Sequence, residues 1–407
     1  MIRGRAHLAA LTVLAVIAGA CGSEAPTQAV SSTAPTPVAV ASPGPSDPTD
    51  AGGTTAADGS CVARTLDAMT EAQRIGQLFM IQLPKDQLDA KHRAAIEDDH
   101  FGSVWFGRST AGVEALRAVS NSVQRLATPA ATNGVRFLIA ANQEGGLIQG
   151  LSGPGFATIP SAVDQGRMTP AALTAAAVTW AHELRRAGVN VNFAPTADVV
   201  PPGGDATNAP IGQLDREYGH HPRVVASHVA AFIGGMRAGG IATTAKHFPG
   251  LGRVEGNTDH TADVVDTVTT PDDAYLRPFR RAIDDAVPFV MVSLATYERI
   301  DASAIAAFSP TIVTGLLRTT LGFRGVIMSD SLTAEAVAAI PPADRAIRFI
   351  ASGGDLIVLG RLATAISMAK GLASLAATSP AFATTIDAAA RRVLRAKAAA
   401  GLVDCGS

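Results

Sequence analysis

The chain predicts an α/β fold, a single (β/α)8 barrel of the TIM type. Eight short, apolar, β-branched runs recur along residues 61–407, separated by Ala-rich stretches with helical spacing. Strands that alternate with helices favour parallel pairing, and eight such units close a barrel. The body holds about 345 residues, long for an ordinary domain and normal for this architecture. A doubly wound open sheet is the alternative, but no G-x-G-x-x-G follows an early strand.

From the start of the chain, residues 1–21 predict an export signal: Arg3 and Arg5 precede an apolar run, His7 to Ala20, too short to span a bilayer comfortably. Ala18-Gly19-Ala20-Cys21 resembles a bacterial lipobox, which implies lipidation of Cys21 and a membrane anchor. Residues 22–60 are dominated by Ala, Pro, Ser, Thr, Gly and Asp; without hydrophobic periodicity they predict a disordered tether. The barrel is expected over 61–407. Of three cysteines, Cys61 and Cys405 remain, one at each end of the body, and in an oxidising compartment they are expected to form a disulfide; two unpaired thiols are the alternative.

The formal net charge of −2 and the absence of basic runs exclude an electrostatic footprint for nucleic acid. No Cys/His cluster has metal-ligand spacing. His220-His221 reads as a surface pair at a helix start, and neither a metal nor another cofactor is expected. A monomer is expected.

Strands are predicted at Gln77–Leu83, Gly102–Phe106, Phe137–Asn142, Val189–Pro195, Ala242–His247, Phe289–Leu294, Gly325–Asp330 and Leu356–Leu359. Helices are predicted at Pro170–Ala187, Pro222–Ala238, Asp272–Asp285 and Ala383–Ala400, the first three with Pro or Asp near their starts and the last ended by Gly401. Active sites of such barrels lie at the C-terminal strand ends. Asn142, Asp198, the Lys246-His247 pair, Ser293 and Asp330 all fall at or just past that end of successive strands, so five strands present polar groups to one rim.

The fifth of these strands ends in Lys246-His247-Phe248-Pro249-Gly250 and leads into a Gly-rich loop with Asn257-Thr258-Asp259-His260. Upstream stands Asn142-Gln143-Glu144-Gly145-Gly146, and downstream Ser329-Asp330-Ser331-Leu332. These three ordered motifs resemble the KHFPGHGDTxxDSH, DQEGG and S-D-x-L motifs of the bacterial β-N-acetylhexosaminidases of glycoside hydrolase family 3. The resemblance implies an exo-acting retaining enzyme that releases terminal N-acetylglucosamine from a peptidoglycan-derived glycan or muropeptide, outside the cytoplasmic membrane. Asp330 matches the family nucleophile; on the residues alone it could instead cap a following helix. The acid/base, an Asp-x-His pair in the family, is altered. Counting without gaps from Lys246 puts Asn257 at the Asp position and Asp259 at the His position; a one-residue shift brings His260 onto the His. The reading favours His260 as acid/base with Asp259 beside it, with Asp259 itself as rival and Glu255 a further acid on the same loop. Lys246, His247 and Arg216 match residues that hold the sugar; on the residues alone, Arg216 could instead form a surface salt bridge with Asp215 or Glu217. Asn142 replaces a family Asp that accepts bonds from hydroxyls. Asn192 and Asp198 match a supporting motif. Leu147 and Gly150 stand where the family has Arg, which weakens the expected grip on the sugar. Two other functions stay open: a family 3 β-glycosidase of other specificity, such as a β-glucosidase, and a degenerate barrel that binds wall glycans without cleaving them.

Overall fold

A computed structural model describes residues 56–405. Eight parallel strands form the barrel sheet: β1 (Phe79–Leu83), β2 (Ser103–Phe106), β3 (Leu138–Ala141), β4 (Val191–Asn192), β5 (Ala242–Phe248), β6 (Phe289–Val292), β7 (Val326–Ser329) and β8 (Ile357–Leu359). Each pairs in parallel with its sequence neighbour, and β8 returns to β1. Between β7 and β8 a Met328–Leu356 bridge and the bond from Ser329 N to the Leu356 carbonyl (3.0 Å) complete the ring. All eight strands lie within the segments expected from the sequence, give or take a residue. The largest shortening is at β4, where Pro195 has no N–H for a ladder.

The strands read as unbroken apolar runs because both faces are buried. Successive side chains point to opposite faces, so each strand feeds two cores. Phe79, Ile81, Val104, Ile139, Val290 and Ile327 pack outward with the helices. Met80, Leu138, Val191, Phe289, Met328 and Val358 fill the lumen. The helix Pro380–Ala399 closes the bottom, adding Val393 to the luminal core. Its Lys397, fully buried, donates to Gln77 Oε1 (2.6 Å) and the Gly102 carbonyl (2.7 Å), just before β1 and β2.

Pro170–Arg186 and Pro222–Ala238 form as expected, each with Pro in its first turn. Asp272–Asp285 is not one helix: a tight turn, Ala274–Leu276, capped by Asp273, precedes a regular helix, Arg277–Asp284, that starts beside Pro278. Proline suits a first turn and not an interior, which fixes the restart there. The last helix begins at Pro380, earlier than expected, because Ser379 caps it by accepting from Phe382 N.

The expected export signal, Cys21 and most of the tether lie outside the described residues. At the inner boundary the expectation is corrected, since residues 56–60 open a helix, Ala56–Ala68. That helix packs against Pro380–Ala399, and Cys61 within it is bonded to Cys405 (S–S 2.00 Å), so tertiary contacts order a segment whose composition alone would not. Among the described residues, no helix is long and apolar enough to cross a membrane.

Candidate active site

A pocket of about 420 Å³ opens at the C-terminal strand ends. It brings together Asn142, Arg216, Lys246, His247, Asp259, His260 and Asp330, every catalytic or sugar-holding residue expected from the sequence. A wider groove of about 890 Å³ lies between the outer helices; charged Arg and Asp side chains line it, and no strand-end residue reaches it.

Behind the Arg216 and Lys246 of the pocket wall lies Glu144, a buried carboxylate that does not itself line the pocket. It sits in a short hairpin, Gln143–Gly145 with Ile148–Gln149, directly after β3. Arg216 donates to it through Nε and Nη2, both at 2.9 Å, and Lys246 Nζ lies 2.7 Å from Oε1. Thr196 Oγ1 adds a bond of 3.1 Å. Burial by itself raises the Glu144 carboxyl, but the Arg216 guanidinium and Lys246 ammonium outweigh it and hold it well below the usual carboxylate range. Arg216 therefore forms no ion pair with its neighbours Asp215 or Glu217; its partner comes from another loop.

Lys246 and His247 end β5, where the register shifts between Lys246 and Phe248. The shift lets two consecutive residues face the same pocket, which a regular strand forbids. Lys246 Nζ also donates to Asn142 Oδ1 (2.7 Å). The Asn142 carbonyl thus accepts from Lys246, while its NH2 can still donate. Buried Asp198 accepts from His247 N through both oxygens (3.2 Å each) and from Leu251 N (2.6 Å). Its Oδ2 is 2.9 Å from His247 Nδ1, which fixes the ring and leaves Nε2 toward Arg216 and the pocket.

Asp330 follows β7. Its N donates to the Val292 carbonyl (2.9 Å), and its Oδ1 accepts from Ser331 N (2.8 Å). No regular helix opens at residue 331, only a turn before Glu335–Val337, so the helix-cap reading of Asp330 does not apply.

Asp259 and His260 both stand at the mouth, in a turn where Asp259 N donates to Asn257 Oδ1 (3.0 Å) and His260 N to the Asn257 carbonyl (2.9 Å). Ala336 N donates to the Thr258 carbonyl (3.1 Å), tying this loop to the one after β7. At its base Arg253 pairs with Asp273 and covers the Tyr275 ring at 3.7 Å. Burial and then the Asp330 carboxylate raise the Asp259 carboxyl, against His247, Arg216 and His260. Asp259 is exposed at the mouth. Glu255 does not line the pocket.

The floor is apolar: Trp105 and Phe193 meet edge-on at 6.0 Å between centroids, with Met291 and Val358 beside them. Gly150, where an Arg was expected, lies against Asn142; its N donates to the Asn142 carbonyl (2.7 Å), and a Cβ there would sit 2.7 Å from the same oxygen. Glu144 was legible as part of a motif, but its role was not. The signal was the unmatched positive charge of Lys246 and Arg216, since buried cations need a buried counter-charge.

A parallel eight-stranded barrel whose rim holds two carboxylates in one pocket, a cationic clamp and an aromatic floor defines a glycosidase-type enzyme. Comparison with known proteins agrees. Residues 70–396 match the glycosyl hydrolase family 3 N terminal domain, and the chain belongs to glycoside hydrolase family 3. It is similar to a β-N-acetylhexosaminidase of Beutenbergia cavernae of known structure, with a TM-score of 0.80 and 48% identity over 81% of this chain and 99% of that one. A family 3 β-N-acetylglucosaminidase from a Paenibacillus species superposes with a TM-score of 0.74 at 28% identity, over 83% of this chain and 64% of that one. A β-hexosaminidase of Thioalkalivibrio sulfidiphilus is 33% identical over 270 residues, 63% of this chain and 73% of that relative.

Proposed function

We propose that the protein is an exo-acting retaining β-N-acetylhexosaminidase that removes terminal β-N-acetylglucosamine from peptidoglycan-derived glycans. The observation that carries this reading is that Asp330, just after β7, and Asp259 and His260, on the loop after β5, line one pocket. Burial and the Asp330 carboxylate raise the Asp259 carboxyl, the direction a proton donor needs. In the first step an Asp330 oxygen bonds to the anomeric carbon, the glycosidic C–O bond breaks, and the Asp259 proton passes to the departing oxygen. In the second, water attacks the same carbon, Asp259 takes its proton, and Asp330 leaves with its electron pair. Lys246, His247 and Arg216 hold the sugar hydroxyls, and the ring stacks over Trp105. The names of the relatives, β-hexosaminidase and β-N-acetylhexosaminidase, support an N-acetylhexosamine and not glucose as the sugar removed.

His260 is the second reading of the acid, since it lines the same mouth. The lipobox-like Cys21 supports export and a lipid anchor; Cys21→Ala should then shift the protein out of the membrane fraction. The direct test compares chromogenic β-N-acetylglucosaminide with β-glucoside, then labels the enzyme with a mechanism-based fluoro-sugar. Turnover of the first substrate and label on Asp330 are expected. Preference for glucoside would overturn the specificity. Binding without turnover of either would indicate a glycan-binding protein, and label elsewhere would displace Asp330.

A further inference from the structure

The loop after β4, residues 196–221, carries Arg216 into the sugar pocket. It also gathers three potential ligands, Asp205, Glu217 and His220, that do not line that pocket. Their donor atoms all lie within 4.8 Å of one another. His220 Nδ1 stands 3.6 Å from Asp205 Oδ1, too far for a hydrogen bond, and 3.3 Å from the Val200 carbonyl.

Glu217 supplies a second and separate observation. It is 2% exposed, yet its Oε2 has no hydrogen-bond partner, and neither has the buried Oδ1 of Asp205. Buried polar atoms are nearly always partnered, and an orphaned carboxylate oxygen is costly. A bound cation would satisfy both orphan oxygens.

We propose that Asp205, Glu217 and His220 form a binding site for one divalent transition-metal ion of the zinc class, which braces the middle of the loop carrying Arg216 against its C-terminal end. Two carboxylates and an imidazole suit zinc, whereas calcium and magnesium prefer all-oxygen sets. Ligand bonds of about 2.0–2.2 Å hold donors roughly 3–4 Å apart, so modest side-chain rotations close this set. Asp205 and His220 are half-buried, which leaves a side open for water as a further ligand. His220 alone read as a surface residue; only the loop's path brings two carboxylates to it.

The test uses the full chain, stripped with a chelator and titrated calorimetrically with zinc chloride. One saturable site is expected, with a zinc-dependent rise in Tm. Glu217→Gln and, separately, the milder His220→Asn should each weaken binding at least about tenfold, since even outer-shell changes cost that much. The combined variant Asp259→Asn with His260→Asn should leave it intact. No saturable binding by the wild type would overturn the proposal. So would binding that survives both loop variants but is lost with Asp259 and His260, which would place the ion in the sugar pocket. Calcium that competes with zinc at equal concentration would overturn the zinc-class assignment.

Discussion

Glu144→Gln tests whether the buried carboxylate is the anchor of the sugar clamp. The substitution keeps the shape of the side chain and removes one negative charge from between Arg216, at 2.9 Å, and Lys246, at 2.7 Å. Two buried cations are then left facing each other without a counter-charge. Breaking a buried pair from one side costs about 3–5 kcal/mol. The amide oxygen can still accept one bond, so ~3 kcal/mol is the expected loss, or ~6 °C in Tm at roughly 2 °C per kcal/mol for a chain of this size. The pH profile should change with it. The folded carboxyl lies far below its ordinary value of 4.5, so its pairing stabilises the protein above about pH 5 and is lost as pH falls through the folded value. Acid unfolding of the variant should therefore be shallower than that of the wild type. With Arg216 and Lys246 displaced, kcat/KM should fall about 10–100-fold, mostly through KM. Calorimetry from pH 3 to 8 with parallel kinetics reads all three effects. An unchanged Tm with lost activity would show that Glu144 acts on substrate and not as an anchor. Unchanged values of both would refute the reasoning altogether.

Three further outcomes are expected. Asp259→Asn should slow substrates with poor leaving groups about 10²–10⁴-fold, spare activated aryl glycosides, and abolish the alkaline limb of the pH–rate profile, because a raised acid works only until pH climbs through its pKa; if His260→Ala shows that pattern instead, the imidazole is the acid. Gly150→Arg, which restores a residue usual in the family, should destabilise by about 1–3 kcal/mol and leave KM no lower, because its Cβ meets the Asn142 carbonyl at 2.7 Å; a stable variant with a tighter KM would show that the hairpin yields. Cys405→Ser opens a loop of 344 residues and should cost at most about 5–6 kcal/mol, read as a fall in Tm under non-reducing conditions; equal melting of variant and wild type would mean that helix packing alone holds the ends.

Much of the fold was legible in the sequence because its signals are local. An apolar run of strand length, stopped by Gly or Pro, marks a strand wherever it falls, and eight alternating with helices leave few closures other than a barrel. The polar residues at their ends then had to share a rim, which placed Asn142, Lys246, His247 and Asp330 together before any coordinates. Pairing between charges was not legible in the same way. Arg216 pairs with Glu144, 72 residues away, although Asp215 and Glu217 flank it in the chain. Asp259 and His260 are adjacent in the chain, and only the path of their loop brings both to the pocket of Asp330. His220 looked like a surface residue until the loop after β4 folded Asp205 and Glu217 against it. The reason is physical: backbone period and breakers act over a few residues, whereas a buried charge finds its partner through space, wherever loop closure and desolvation bring one within reach.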